Sequence, residues 1–260
     1  MIGQQIIQIH EVDSTNNYAA KLLSEGKLAH GTVILAEHQT AGRGQRGRNW
    51  QSVGAKQFTG TYFLKTDFLS VDNLCFLNMG IALAVRGMVQ SFTRRKVSIK
   101  WPNDIFIENQ KIAGILIETN WKNGRVEGAI AGIGVNISPV QSVGYATSLE
   151  ELSGKSPEVL SVLDELSKQM NEFYQYLQQS DFNYLKNAYE SFLWKKDEEI
   201  VLEERQDPVP FTGIIRGVDQ IGNLLLERDG VITVYHNQEL NFEANYAKGT
   251  STSLSDLSQE

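Results

Sequence analysis

Two apolar runs that carry glycine restrict this chain more than anything else in it. The first is Lys111-Ile112-Ala113-Gly114-Ile115-Leu116-Ile117-Glu118, and the second is Ala129-Ile130-Ala131-Gly132-Ile133-Gly134-Val135-Asn136-Ile137. Between them Lys122-Asn123-Gly124 supplies a hairpin turn. Side chains alternate across a strand, so Gly132 and Gly134 fall on one face and leave a flat slot there. Asn136, at the end of that slot, can both donate and accept hydrogen bonds. Lys111 opens the first run, where an unpartnered cation on a buried edge is costly. It needs an anion, for which Glu118, Asp104 and a bound ligand are the candidates.

The other segments build around this hairpin. Gln5 to His10, Gly31 to Ala36 and Phe58 to Leu64 read as strands, with Gly60 leaving room for a ligand or a neighbouring backbone. Asp13-Ser14-Thr15-Asn16 precedes a helical pattern of Tyr18, Ala19, Leu22 and Leu23, and Asp13 or Ser14 suits its N-cap. The alternatives there are a cap alone, or a helix start that also binds a polar ligand head through its free N–H groups. Leu74, Leu77, Ile81, Val85, Met88 and Phe92 recur at three- and four-residue steps, which predicts a helix capped by Asp72 and closed by Arg94-Arg95-Lys96. Val97 to Ile107 divides into two strand pieces at Trp101-Pro102-Asn103-Asp104, because proline cannot donate to a ladder. Asp104 in that turn can hold a magnesium ion, position a ligand amine or close an ordinary Asx turn.

Further on, Gly144 to Gly154 is polar and turn-rich. Ser156-Pro157-Glu158 opens a helix whose stripe is Val159, Leu163, Leu166, Met170, Phe173 and Leu177. A third helix spans Phe182, Leu185, Tyr189 and Phe192. Five short strands follow (Glu199 to Leu202, Phe211 to Val218, Asn223 to Glu227, Val231 to Val234 and Gln238 to Phe242), with turns at Gly222-Asn223 and Asp229-Gly230. Their pattern is that of a small β-barrel.

Charge singles out one more stretch. Gly42-Arg43-Gly44-Gln45-Arg46-Gly47-Arg48 sits in a chain of net charge -7, and no acid occurs between Glu37 and Asp67. Glycines let backbone approach a ligand, and arginines present forks that match phosphate or carboxylate oxygens. The stretch reads either as a solvated surface loop or as a loop that closes over an anionic small molecule, with Trp50 as its far anchor. Neither the phosphate-loop motif nor the dinucleotide fingerprint is present. The acidic balance disfavours general nucleic-acid binding. One cysteine, Cys75, excludes an internal disulfide and fits a reducing compartment. No basic, apolar leader and no run of eighteen apolar residues is found, so a cytoplasmic protein without a membrane span is expected.

Asp-Ser-Thr-Asn, Gly-Arg-Gly-x-Arg-Gly-Arg-x-Trp, Lys-Trp-Pro-Asn-Asp, Lys-x-x-Gly-Ile-Leu-x-Glu and Gly-x-Gly-x-Asn occur in this order from about Glu11 to Asn136. Together they resemble the biotin protein ligases, which attach biotin to a carrier protein of a carboxylase. That resemblance implies an α+β fold: a mixed-sheet catalytic domain with flanking helices, class II synthetase-like, over residues 1–195. It further implies an SH3-like β-barrel over 196–248; beyond it, 249–260 reads by composition as a polar tail. The implied substrates are biotin and ATP with Mg²⁺, and the implied partner is a biotin carboxyl carrier protein. Thirteen residues precede Ser14, too few for the winged helix by which some members bind DNA, so no repressor function is expected. Oligomeric state stays open, a homodimer included.

Carried over residue by residue, the resemblance assigns Lys111 to bridge biotin's carboxylate and the α-phosphate, with Arg43 and Arg46 along the phosphates. Ser14, Thr15, Asn16 and Gln39 would read the ureido head, and Gly44, Gln45 and Gly114 complete the biotin site with Arg43 and Lys111. For the nucleotide the set is Arg43, Arg46, Arg48, Trp50, Lys100, Asn103, Asp104, Lys111 and Asn136, with Asn136 at the adenine edge. Asp104 is the candidate magnesium ligand. Gln45 stands where many members carry arginine, which predicts looser retention of the adenylate or compensation by Arg46 and Arg48. Ala113 replaces a common glycine and is expected to be tolerated. A lipoate or octanoate transferase would share the fold, but the arginine-glycine loop and the Lys-Trp-Pro-Asn-Asp turn favour biotin.

Overall fold

A computed structural model of the chain describes residues 1–45, 50, 56–122, 125–140 and 145–245. The predicted hairpin is present as β6 (Gln110–Lys122) and β7 (Arg125–Asn136), paired antiparallel with Gly114 opposite Gly134 and Leu116 opposite Gly132. Asn123 and Gly124 of its predicted turn lie outside the described residues, as do Gly144 and Thr250–Glu260.

Around the hairpin stand β1 (Ile6–Val12), β2 (Val33–Gln39), β3 (Gln57–Lys65), β4 (Val97–Lys100) and β5 (Asp104–Ile107). They form one seven-stranded sheet in the order β1-β2-β3-β7-β6-β5-β4. Only β1 and β2 run parallel; every other neighbour is antiparallel, so the sheet is mixed. The fold is α+β, as the sequence predicts.

The two-residue period sorts this sheet into two faces. Val33, Leu35, Tyr62, Leu64, Ala129, Ala131 and Val135 point into the main core. That core is covered by α2 (Leu74–Ser91), α4 (Val159–Gln178) and α5 (Phe182–Ser191). Ile34, Phe63 and Ile130 point the other way, into a smaller cluster under α1 (Thr15–Ser24) with Ala19 and Leu28. Gly60 belongs to the core face. A Cβ there would stand 2.7 Å from the Phe58 ring, so this glycine makes room for a side chain rather than for a ligand.

Several helix ends differ from expectation. The segment Val71–Asn73 is a 3₁₀ turn, so α2 begins at Leu74 behind Asn73 and Asp72 is not its cap. It ends at Ser91, leaving Arg94-Arg95-Lys96 beyond its last turn; Arg95 pairs with Glu108 instead, at 3.6 Å. By length and mean hydropathy (1.3) Val71–Ser91 is apolar enough to cross a membrane, but it packs between the sheet, α4 and α5 as a core helix. Pro157 precedes the N-cap Glu158 of α4 rather than lying in the first turn. The polar stretch before it contains a short helix, α3 (Leu149–Ser153), that periodicity misses because it is little more than a turn long. Its signal is the N-cap Ser148, whose hydroxyl oxygen accepts from the Glu151 amide at 3.2 Å and lies 2.9 Å from the Glu151 carboxylate.

The C-terminal strands are β8 (Glu199–Glu204), β9 (Pro210–Val218), β10 (Leu224–Arg228), β11 (Val231–Tyr235) and β12 (Leu240–Asn241). They make a five-stranded antiparallel sheet in the order β11-β10-β9-β8-β12. Asp229 and Gly230, both at positive φ, form the β10–β11 turn as predicted. Among the described residues no ladder joins β11 to β12, so what is seen of the expected small β-barrel is this antiparallel sheet. Trp101 ties this sheet to the larger one, its indole N–H donating to the Gly222 carbonyl at 2.9 Å.

Candidate active site

On the α1 face, β3, β7 and β6 run past the end of their helical cover, and a cleft of about 300 Å³ opens over them. Every described residue assigned to the site from sequence lines it: Ser14, Thr15, Asn16, Gln39, Arg43, Gly44, Gln45, Trp50, Lys100, Asn103, Asp104, Lys111, Gly114 and Asn136. Arg46 and Arg48 lie outside the described residues.

One end of the cleft is polar. Ser14 is the N-cap of α1, but its side chain makes no capping hydrogen bond. The helix start is held from β2, where Gln39 Oε1 accepts from the Thr15 amide at 2.7 Å and from the Thr15 hydroxyl at 3.0 Å. Thr61 on β3 lies within hydrogen-bond distance of Thr15 Oγ1 (2.8 Å) and Asn16 Oδ1 (2.7 Å). Asn16 Nδ2 donates to Glu118 Oε2 at 2.7 Å and to the Leu116 carbonyl at 3.3 Å, which settles which way this amide points. Asp13 turns to the Asn17 amide at 2.6 Å, and that bond holds its carboxyl below the usual range. The predicted helix start therefore lines the cleft, and its first amide is met by Gln39 rather than by Asp13 or Ser14.

The other end is cationic. Lys111 lies 2.6 Å from Asp104, and Lys100 is 3.8 Å from the same carboxylate. Of the three anions considered for Lys111, Asp104 is the one beside it; Glu118 instead takes Arg43 at 2.6 Å. A bulge places Lys111 here. Ile105 pairs with Ala113 but Phe106 pairs with Lys111, so Ile112 is the extra residue and the alternation resets. Ile112 is buried in the core while the Lys111 ammonium stands over Gly114, 3.1 Å from where a Cβ would be. The Asp104 oxygens are committed to two ammonium groups, and no cluster of three or more metal-ligating side chains occurs among the described residues. Asp104 thus fits the positioning of Lys111.

The turn carrying Asp104 is fastened from three sides. The Pro102 carbonyl accepts from Asn78 on α2 at 3.1 Å and from Tyr189 on α5 at 2.9 Å. Burial pushes the Tyr189 phenol up, so it keeps the proton it donates. Asn103 Nδ2 donates to the Ile115 carbonyl, and Trp101 reaches Gly222.

Between the two ends the floor is bare. Gly134 and Gly114 face each other across β7 and β6, and the Trp50 indole lies over them. Trp50 also closes the arginine-glycine segment, its amide donating to the Gly42 carbonyl at 2.9 Å. Asn136 lines the cleft, with its amide donating to the Thr147 carbonyl at 3.0 Å. It therefore straps the segment before α3 over Lys111, whose own backbone bonds Tyr145 and Thr147. Sequence reasoning missed Thr59 and the C-terminal contributions of Arg205, Gln238 and Phe242. Only the resemblance, in which such a C-terminal module helps cover the ATP site or docks the acceptor, pointed toward that last group.

The model of the biotin/lipoate A/B protein ligase family matches residues 9–136. The bifunctional ligase/repressor BirA of Salmonella typhimurium is 30% identical over 248 residues, covering 90% of this chain and 72% of that protein. This chain belongs to the biotin/lipoate A/B protein ligase family. A biotin–[acetyl-CoA-carboxylase] ligase of Paracoccus denitrificans is also 30% identical to this family member, over 82% of it and 90% of the relative. Among solved structures, the biotin protein ligase from Aquifex aeolicus in complex with biotin and ATP superposes with a TM-score of 0.76. It is 27% identical and covers 92% of this chain and 98% of its own.

Proposed function

We propose that this ligase-family member is a biotin protein ligase working in two steps. Biotin's carboxylate oxygen attacks the α-phosphorus of ATP, the bond to the β-phosphate oxygen breaks, and pyrophosphate leaves. The ε-amine of a lysine on a biotin carboxyl carrier domain then attacks the acyl carbon of biotinyl-5′-AMP. An amide forms, a proton is lost to solvent and AMP departs. The relatives' names and ligands support this reading, and the observation that carries it is the Lys111 ammonium held by Asp104 at one end of a glycine-floored cleft.

The chemistry requires two anions to meet, so the dominant contribution is a cation set in advance where charge develops. Lys111 fills that role, with Asp104 fixing its rotamer. Asn16, Thr15 and Gln39 make the opposite end rich in both donors and acceptors, which suits a ureido group. Arg43 reaches the triphosphate by exchanging the Glu118 carboxylate for phosphate oxygens, both of which match the guanidinium fork. Magnesium enters with ATP on the phosphates, and no residue of this chain is assigned to it. No covalent enzyme intermediate is needed. Cys75, half-buried on α2 with its thiol pushed up to about 11 by burial, takes no part.

The test is direct. Purified protein with biotin, Mg-ATP and a carrier domain should add the mass of one biotin to the carrier, and should release pyrophosphate from biotin and ATP alone. Absence of both signals, or equal turnover with lipoate in place of biotin, would refute the assignment.

A further inference from the structure

The cleft floor is ruled into rows by the strand register. Thr61, Gly132 and Leu116 lie side by side across β3, β7 and β6, as do Thr59, Gly134 and Gly114. A third row holds Gln57 and Asn136, with the Lys111 carbonyl 3.5 Å from the Asn136 amide. Successive rows are two residues apart, about 7 Å.

The first row carries the satisfied polar network of Thr15, Asn16 and Thr61. The middle row does not balance in this way. Thr59 is 3% exposed and its hydroxyl has no hydrogen-bond partner among the described residues. The same holds for the Trp50 indole nitrogen, which lies 2.6 Å from the position of a Cβ on Gly134. Both residues line the cleft, whereas Thr66, whose hydroxyl is the third such atom, does not. A buried hydroxyl left unmet is destabilising and calls for an explanation. Its position in a cleft makes a ligand atom the natural partner.

Biotin has a ureido group at one end and a carboxylate at the other, and the thioether sulfur of its second ring is the heteroatom between them. With the ureido group in the first row on the α1 side and the carboxylate at the Lys111 ammonium, over Gly114 at the β6 end of the middle row, the sulfur ring lies between them, toward the Thr59 end of that row. We infer that Thr59 is a specificity-determining residue whose hydroxyl donates a hydrogen bond to the thioether sulfur of biotin, beside the Trp50 indole. The inference rests on the ligase reading above. Its physical content is that the floor distinguishes ligands by the acceptor at mid-length, not only by their two ends.

The experiment is calorimetric titration of wild type, Thr59→Val and Thr59→Ser with three ligands. These are biotin, oxybiotin with an ether oxygen in place of sulfur, and desthiobiotin with no acceptor there. Thr59→Val should weaken biotin about fivefold, the size expected of one weak hydrogen bond. It should weaken oxybiotin at least as much and leave desthiobiotin within about twofold, while Thr59→Ser retains wild-type ratios. Without ligand, Thr59→Val should melt no lower than wild type, because the change removes an unmet buried group. An equal loss for all three ligands, or none for biotin, overturns the inference and leaves the ligase reading standing. Failure of the wild type to bind any of the three overturns both.

Discussion

The two faces of the seven-stranded sheet are made by the same strands, yet they are built to opposite rules. Along β7, Ala129, Ala131 and Val135 are buried in the main core, while Ile130 packs under α1 and Gly132, Gly134 and Asn136 open onto the cleft. The core face is filled with side chains and carries stability. On the cleft face side chains are removed and polar groups are held at its ends. Glycine there is an omission with a purpose: a Cβ on Gly132 would collide with the Asn16 amide, and one on Gly134 with the Trp50 ring. A residue's contribution to folding or to chemistry is set by which parity it occupies.

Substitutions on either face should therefore separate cleanly, and four of them rank the difference. Lys111→Ala should lower biotin-dependent pyrophosphate release by about 10²–10³-fold, the usual effect of removing one charge-stabilising donor. Its melting temperature should stay near wild type; a large fall in stability would mean that the Lys111–Asp104 pair belongs to the fold. Leu64→Ala, on the core face of β3 and fully buried, should do the reverse. Chemical denaturation should show a loss of about 2–5 kcal/mol, with the KM for biotin unchanged. A shifted KM would mean the two faces are mechanically coupled.

A smaller effect is expected of Gly132→Ala. The new methyl meets the Asn16 amide, which is pinned by Glu118 and Leu116 and has little room to give. Biotin affinity should fall roughly tenfold or more, as when a positioning group is displaced, with little change in melting temperature. Smallest of all is Gln45→Arg, at the cleft edge. One added charge-assisted contact should slow release of labelled biotinyl-adenylate by about threefold to tenfold; unchanged release would show that the neutral amide there gives up nothing.

Much of this molecule was legible from local pattern. The strand and helix order, the glycine face of the hairpin and the gathering of fourteen of the sixteen assigned residues along one cleft needed only two-residue and three-to-four-residue periods plus an ordered set of motifs. Those signals are short in range, and a run of residues carries them whether or not it is folded. The chain itself therefore dictated that a flat, glycine-lined strand surface would face a lysine and an arginine-glycine loop. Tertiary structure decided which partners met. Glu118 went to Arg43 and Asp104 to Lys111 because a bulge at Ile112 resets the alternation of β6, and register is a property of two strands together. Gln39 replaced Ser14 as the group that holds the start of α1 because β2 passes beside it. Arg205, Gln238 and Phe242 joined the cleft from the second sheet. Apart from Asp104 and Lys111, which are close in sequence and meet through strand register, these contacts join residues far apart in the chain, and only packing of whole elements determines which distant groups meet.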